Sequence, residues 1–338
     1  MIAVSPRSPP SPPPARPRRP SGARQAAGRR RAPTATTERT PMLPFDESRA
    51  RLILAHACES AGLPAPDGAR LLALGENAVF DLGDPAVVAK VGRGPELAER
   101  TRRELTVADW LAGRGIPVVR PYDALPAEPR HTLGHPVTFW HRLPPAGRPA
   151  RPADLAPLLT ALHLLPDPPF RLARRDLLAP VERWLASAEG HVDPADVDFL
   201  RRRRDTFAAA LPDLHPHLPT GVIHGDALPR NVHIGPDGPV LLDLETVSRD
   251  LREHDLVVLA LSHDRYGVPV GEYRAFTDAY GWDVREWSGF TVLRGARETA
   301  SASWVAQQVP GNPAALAEFR RRVDSLRSGA TEVRWYPF

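Results

Sequence analysis

The chain has 338 residues, 42% of them hydrophobic, and no run of 18 or more apolar residues, so it can bury a large core and carries nothing that reads as a membrane-spanning helix. Its net charge of +4 is unevenly placed: residues 1–42 hold nine arginines against one glutamate, and the other 296 residues hold 35 basic and 39 acidic groups. A single cysteine, Cys58, excludes an internal disulfide framework and fits a reducing cytoplasm.

Residues 1–42 are rich in proline and arginine and lack apolar anchors, which predicts a disordered tail with no apolar stretch of a secretory signal. A solvated tail, or a chain that starts at Met42, is the simplest reading of this segment. Nucleic acid is not expected as a partner, unless at this basic tail alone. A helix follows over 46–62, then three β-like runs at Arg70–Leu74, Ala78–Leu82 and Ala86–Val91, the last two joined by a Gly83-Asp84-Pro85 turn. A helix is predicted from Pro95 to Gly113, with Leu97, Leu105, Ala108, Leu111 and Ala112 on its apolar stripe. Strand-like segments come next at 118–122 and 136–140, then a proline-rich connector, Pro144–Pro152. Beyond it the chain reads as mainly helical, near 153–164, 180–189, 194–210, 253–262, 270–280, 284–308 and 313–326. Only Val222–His224, Val232–Ile234 and Val240–Leu242 read there as strands.

The most informative segment is Gly221–Glu245, GVIHGDALPRNVHIGPDGPVLLDLE. A short apolar strand delivers His224-Gly225-Asp226, and Asn231 lies five residues on. A Pro-Asp-Gly turn closes a hairpin whose second strand ends on Asp243. Asp226, Asn231 and Asp243 can therefore converge. Phosphoryl transfer needs such a set: a carboxylate to orient and deprotonate the attacking hydroxyl, and oxygen ligands for Mg2+ against the nucleotide phosphates. Apolar residues on both sides argue for burial, where carboxylates need partners.

Of the 44 basic residues, Lys90 alone is a lysine, which points to a position needing a compact ammonium rather than a planar guanidinium. Fourteen residues on, Glu104 lies close to the apolar stripe of its helix. Lys90 is its natural partner, although Arg100 or Arg103 could serve a surface glutamate. The clustered histidines 215, 217, 224 and 233 lack the cysteines and spacings of a closed zinc site. His163 reads as a packed core residue.

The HGDxxxxN pattern, followed by an apolar strand and Asp-Leu-Glu, resembles the motif of the aminoglycoside/choline phosphotransferase family over roughly residues 45–325. The resemblance implies an α+β, two-lobed protein-kinase-like fold. After the tail, a small N-terminal antiparallel-sheet lobe would span 43–143 and a larger, mainly helical C-terminal lobe 144–338. It also implies Asp226 as catalytic base, Asn231 and Asp243 as metal ligands, and a Lys90–Glu104 pair aiming the ammonium at the α- and β-phosphates. Gly75 and Asn77 would shape the phosphate-covering loop, where an ordinary hairpin turn is the other reading, and backbone groups of His141 and Leu143 would meet the adenine edge. His224 and Asp255 would support the catalytic loop. Arg230, just before Asn231, departs from the small residue usual there.

Only 11 residues separate Asp243 from Asp255, too few for a long activation segment, so a small hydroxylated molecule is expected as acceptor rather than a protein. Residues 250–338 balance 12 acidic against 11 basic groups, which does not single out a polycation, though Asp264, Glu272, Asp278 and Asp283 are candidates for holding an amine. Trp282, Trp287, Trp304 and Trp335 read as core more readily than as a substrate wall. The expectation is a cytoplasmic, Mg2+-dependent transferase, monomeric or dimeric, using ATP or GTP. The alternative is a non-catalytic kinase-like binding protein.

Overall fold

The computed structural model describes residues 45–83 and 86–338; the expected tail over 1–42 and two residues of the expected turn, Asp84 and Pro85, lie outside them. Helix α1 (Glu47–Ala61) starts where Asp46 accepts the Arg49 N–H at 2.8 Å, and it ends on Gly62 at φ 68°. Strands β1 (Arg70–Leu74), β2 (Asn77–Asp81) and β3 (Val87–Gly92) form an antiparallel meander. Helix α2 (Ala98–Gly113) follows a 3-10 turn at Pro95–Leu97. Strands β4 (Arg130–Thr132) and β5 (His135–His141) complete a five-stranded sheet in the order β1-β2-β3-β5-β4.

The segment 118–122, expected as a strand, makes only isolated bridges, from Val118 to Leu241 and from Pro121 to Trp140. Pro121 has no amide proton to continue a ladder. The edge strand is instead β4, whose polar Arg-His-Thr sequence carries little β signal. Its hairpin to β5 turns through Leu133 and Gly134, both at positive φ.

The larger part holds α3 (Pro152–His163), α4 (Val181–Ala186) and α5 (Pro194–Ala210), then β6 (Gly221–Ile223), β7 (Val232–Gly235), β8 (Gly238–Leu241) and β9 (Ser248–Asp250). Helices α6 (Glu253–Tyr266), α7 (Val270–Tyr280), α8 (Phe290–Ala306) and α9 (Pro313–Ser328) close the chain. Strands β7 and β8 form the expected hairpin, while β6 pairs with β9, a polar strand the sequence does not announce. The helix expected over 284–308 is split. Residues Val284–Glu286 form a 3-10 turn, and Trp287 then extends so that its indole N–H donates to His215 O at 2.8 Å.

Two apolar clusters organise the molecule. One joins Ile53, Leu54 and Cys58 of α1 to Phe80, Ala89 and Val137 of the sheet. The other contains the larger helical part and also Leu105, Trp110 and Leu111 of α2. Helix α2 thus carries residues of the N-terminal part of the chain into the larger core. Trp287 and Trp335 are buried in that core, Trp335 with the guanidinium groups of Arg265 and Arg322 at 4.7 and 5.0 Å from its ring. No helix among the described residues is long and apolar enough to cross a membrane.

Candidate active site

The loop after β6 is held from beneath by one carboxylate. Asp255, fully buried on α6, accepts the backbone N–H of His224 and of Gly225, both at 2.7 Å, and the ring N–H of His163 at 3.0 Å. Burial pushes the Asp255 carboxyl up, but the His163 bond and its neighbours outweigh it and leave its pKa below the usual carboxylate value. His163 also meets Tyr280 OH at 2.8 Å, so it is a core residue that braces the loop. Gly225 sits at φ 83°, and a Cβ there would lie 2.5 Å from Thr246 O. Only glycine fits that turn. His224 donates from Nε2 to Leu242 O at 2.9 Å and accepts the Asp226 N–H at Nδ1. Its ring thereby links the two segments that carry Asp226 and Asp243.

Asp226, Asn231 and Asp243 do converge. The Asn231 amide donates to Asp226 O at 2.8 Å and to Asp226 Oδ2 at 3.2 Å, leaving its own Oδ1 as an acceptor. The Leu242 N–H donates to Asn231 O at 2.8 Å, which sets Asp243 next to that turn. Asp243 itself adopts the left-handed conformation, φ 56° and ψ 59°, a strained position for a residue with a Cβ. Among the described residues its carboxylate has no hydrogen-bond partner.

Lys90, on β3, donates to both oxygens of Glu104, at 3.0 and 2.9 Å, and to Glu245 Oε2 at 3.3 Å. Glu245 also pairs with Arg100 of α2, which reaches Glu76 at 2.8 Å. Oxygens of Glu104, Asp243 and Glu245 lie within 4.8 Å of one another. Burial, then the charge of Glu245, pushes Asp243 up; burial pushes Glu104 up as well. Burial opposes the charge on Lys90, but Glu104 and Glu245 overcome it and raise its pKa. Three crowded carboxylates against two cations leave a local deficit of positive charge. An all-oxygen donor set of this kind fits a hard divalent cation. Glu245 has a part here that sequence reasoning missed; the Asp-Leu-Glu spacing after β8 was its signal.

Asp226 is surrounded by arginine. Arg297 of α8 donates to Asp226 Oδ1 at 2.7 Å and to Gly225 O at 3.3 Å, and Arg230 donates to Asp226 Oδ2 at 2.7 Å. Burial pushes the Asp226 pKa up, yet Arg297 and Arg230 bring it below the usual value. Arg297 was not foreseen. Nothing in its sequence position, about 70 residues downstream, separates it from the other helical arginines.

Of the remaining expected residues, Gly75, Asn77, His141 and Leu143 lie at or beside the sheet, and Asp264 and Asp283 in the helical part. Gly75 and Asn77 form the β1–β2 turn, closed by a 3.0 Å bond from Gly75 N–H to Asn77 O. His141 is the last residue of β5 and Leu143 lies two residues on, and the His141 N–H donates to Arg120 O at 2.9 Å. Asp264 is paired with Arg294 at 3.2 Å, and Asp283 with Arg285 at 2.6 Å and Tyr273 OH at 2.7 Å.

With this geometry in view, comparison with known proteins is decisive for the family. The model of the phosphotransferase enzyme family matches residues 68–293, more than half of the chain. The chain belongs to the phosphotransferase enzyme family. Solved structures share its two-lobed, kinase-like fold. An amicoumacin kinase in complex with AMP-PNP, Ca2+ and Ami is 14% identical, with TM-score 0.63 over 85% of this chain and 97% of that one. A choline/ethanolamine kinase family protein from Mesorhizobium loti is 20% identical, with TM-score 0.55 over 84% and 94%. An aminoglycoside phosphotransferase from Streptomyces rimosus is 19% identical, with TM-score 0.54 over 73% and 97%. At these identities the likeness is one of fold. A search of curated proteins finds no match.

Proposed function

We propose that this phosphotransferase-family protein transfers the γ-phosphoryl group of ATP to a hydroxyl of a small molecule. The observation that carries this reading is the meeting of Asp226, Asn231 and Asp243 with the Lys90–Glu104 pair, since both halves of a phosphoryl-transfer site lie in one unit. Asp226 orients the acceptor hydroxyl and takes its proton as the oxygen bonds to the γ-phosphorus. The bond from that phosphorus to the β-phosphate bridging oxygen breaks, and ADP leaves with the electron pair.

Lys90, held by Glu104, supplies an ammonium for the α- and β-phosphates. Asn231 Oδ1 and the Asp243 carboxylate, with Glu245 beside them, are the oxygens that would hold Mg2+. When bound, the ion neutralises phosphate charge and aligns the γ-phosphoryl group. Gly75 and Asn77 shape the turn over the phosphates. The His141 N–H is already spent on Arg120, so the adenine edge falls to the His141 carbonyl and the Leu143 N–H. GTP would use the same phosphate contacts. The buried thiol of Cys58 suits a cytoplasmic setting.

The test is an ADP-coupled assay with Mg-ATP over amino sugars, amino alcohols, macrolides, sugars and hydroxy acids. Asp226→Ala is expected to abolish acceptor-dependent turnover and to keep measurable ATP binding. Equal turnover by the variant and the wild type would overturn the assignment of the base.

A further inference from the structure

The Asp226 carboxylate is already largely occupied before a hydroxyl arrives, with three donors on its two oxygens. Its Oδ2 accepts from Arg230 at 2.7 Å and from Asn231 at 3.2 Å, which uses both lone pairs of that oxygen. Its Oδ1 accepts from Arg297. The two guanidinium groups are held differently. The Arg297 side chain is 11% exposed and has a second bond, to Gly225 O. The Arg230 side chain is 68% exposed, and Asp226 is its one ion-pair partner among the described residues. Arg230 is thus the group that can leave.

A third guanidinium adds to the imbalance. Arg175 precedes α4, its charge acts on Asp226 and Arg297, and its buried Nε has no hydrogen-bond partner among the described residues. Arg230 and Arg297 both pair with Asp226, while the Arg175 backbone N–H donates to Asp250 and its charge acts on Asp226 and Asp255. The Asp255 oxygens are already taken by His224, Gly225 and His163. Guanidinium groups therefore gather on the Asp226 side, where an acceptor hydroxyl must arrive, and the crowded carboxylates on the Lys90 side. Of the four carboxylates considered for a polycation, Asp264 is engaged by Arg294 and Asp283 by Arg285, which leaves Glu272 and Asp278 on α7.

Resting on the phosphotransferase reading above, we propose that the acceptor carries an oxyanion, a carboxylate or a phosphate, near its reactive hydroxyl, and that Arg230 swings from Asp226 onto this group. The exchange gives the oxyanion a charge-assisted partner and frees Asp226 Oδ2 for the hydroxyl proton in the same movement. A neutral or cationic alcohol offers Arg230 no new partner and meets a base whose Oδ2 is occupied. Arg230 acts here as a specificity residue, and Arg297 and Arg175 hold the field that favours an anion.

The experiment compares initial rates on matched acceptors under Mg-ATP: glycerol with D-glycerate and with glycerol 3-phosphate, glucose with gluconate, and ethanolamine with L-serine. Binding of gluconate and glycerol 3-phosphate to the Mg-AMP-PNP complex is measured in parallel. The expected result is a preference of about tenfold or more in kcat/KM for the anionic member of a pair. Arg230→Gln should reduce that preference towards unity, mainly through KM, and Arg230→Lys should retain part of it. The glycerate and glycerol 3-phosphate arms distinguish carboxylate from phosphate.

Asp226-dependent transfer confined to amino sugars or amino alcohols would overturn the anionic acceptor and leave the phosphotransferase reading intact. So would a preference that survives Arg230→Gln, or the lack of any saturable anion effect on rate or binding. Absence of Asp226-dependent transfer to every acceptor tested would overturn both.

Discussion

Glu245 Oε2 lies 3.3 Å from the Lys90 ammonium, so a lysine of the sheet is shared by Glu104 of α2 and by a carboxylate 155 residues away in sequence. Glu245 also holds Arg100, and its side chain is 14% exposed. Glu245→Ala is therefore expected to leave Arg100 with only the exposed Glu76. The stability loss should be about 1–3 kcal/mol, read from chemical denaturation. An unchanged midpoint would show that Glu245 does not share these cations.

Lys90→Arg keeps the charge and changes its shape. The planar guanidinium is larger than an ammonium and cannot present three donors to two carboxylates and a phosphate at one point. The expected outcome is a fall in kcat/KM of about a hundredfold or more, with the far-UV spectrum unchanged. Near-normal activity would show that the lone lysine of the chain has no special part.

The close approach at Gly225 sets a third expectation. A Cβ there meets Thr246 O at 2.5 Å, a carbonyl that also accepts the Ser248 hydroxyl at 2.7 Å, while Thr246 Oγ1 holds His224 O at 2.8 Å. Gly225→Ala should cost about 2–4 kcal/mol of stability, combining a clash with a positive φ. Turnover should fall further than unfolding accounts for, because Asp226 is the next residue. A variant with wild-type stability and kcat would contradict this packing.

His254 gives a pH dependence of stability. Burial lowers its pKa to about 4, an effect that Arg297 and Arg175 reinforce and that Asp250 and Asp255 oppose. The folded protein thus keeps the ring neutral over a range in which the unfolded chain, near 6.5, binds a proton. Below about pH 6.5 the unfolded state gains protons first, so this contribution to stability is lost as the pH falls towards about 4. His254→Asn should flatten that part of a plot of denaturation midpoint against pH. An identical slope in the variant would exclude His254 as the cause.

What the sequence disclosed followed the strength of its local signals. The β7–β8 hairpin was legible because Pro-Asp-Gly sits between two apolar runs, and β6 because three apolar residues lead into His-Gly-Asp. Strands β4 and β9 were not, since Arg-His-Thr and Ser-Arg-Asp become strands only through the partners that tertiary structure brings to them. The same divide runs through the site. Asp226, Asn231, Asp243 and the Lys90–Glu104 pair stand at spacings fixed by short elements. Arg297 reaches Asp226 through the packing of α8, which no periodicity records.

The Lys90–Glu245 and Arg100–Glu245 pairs fasten the strand and helix that carry the cations to the turn that carries the carboxylate. A swing of the sheet away from that turn must break the Lys90–Glu245 pair, and a shift of α2 the Arg100–Glu245 pair. A polyphosphate offers each cation a substitute, and a divalent ion offers one to the carboxylate. On the proposed function, a change in the spacing of sheet and turn is coupled to an exchange of counter-ions, and the latch is undone by the molecule it would admit.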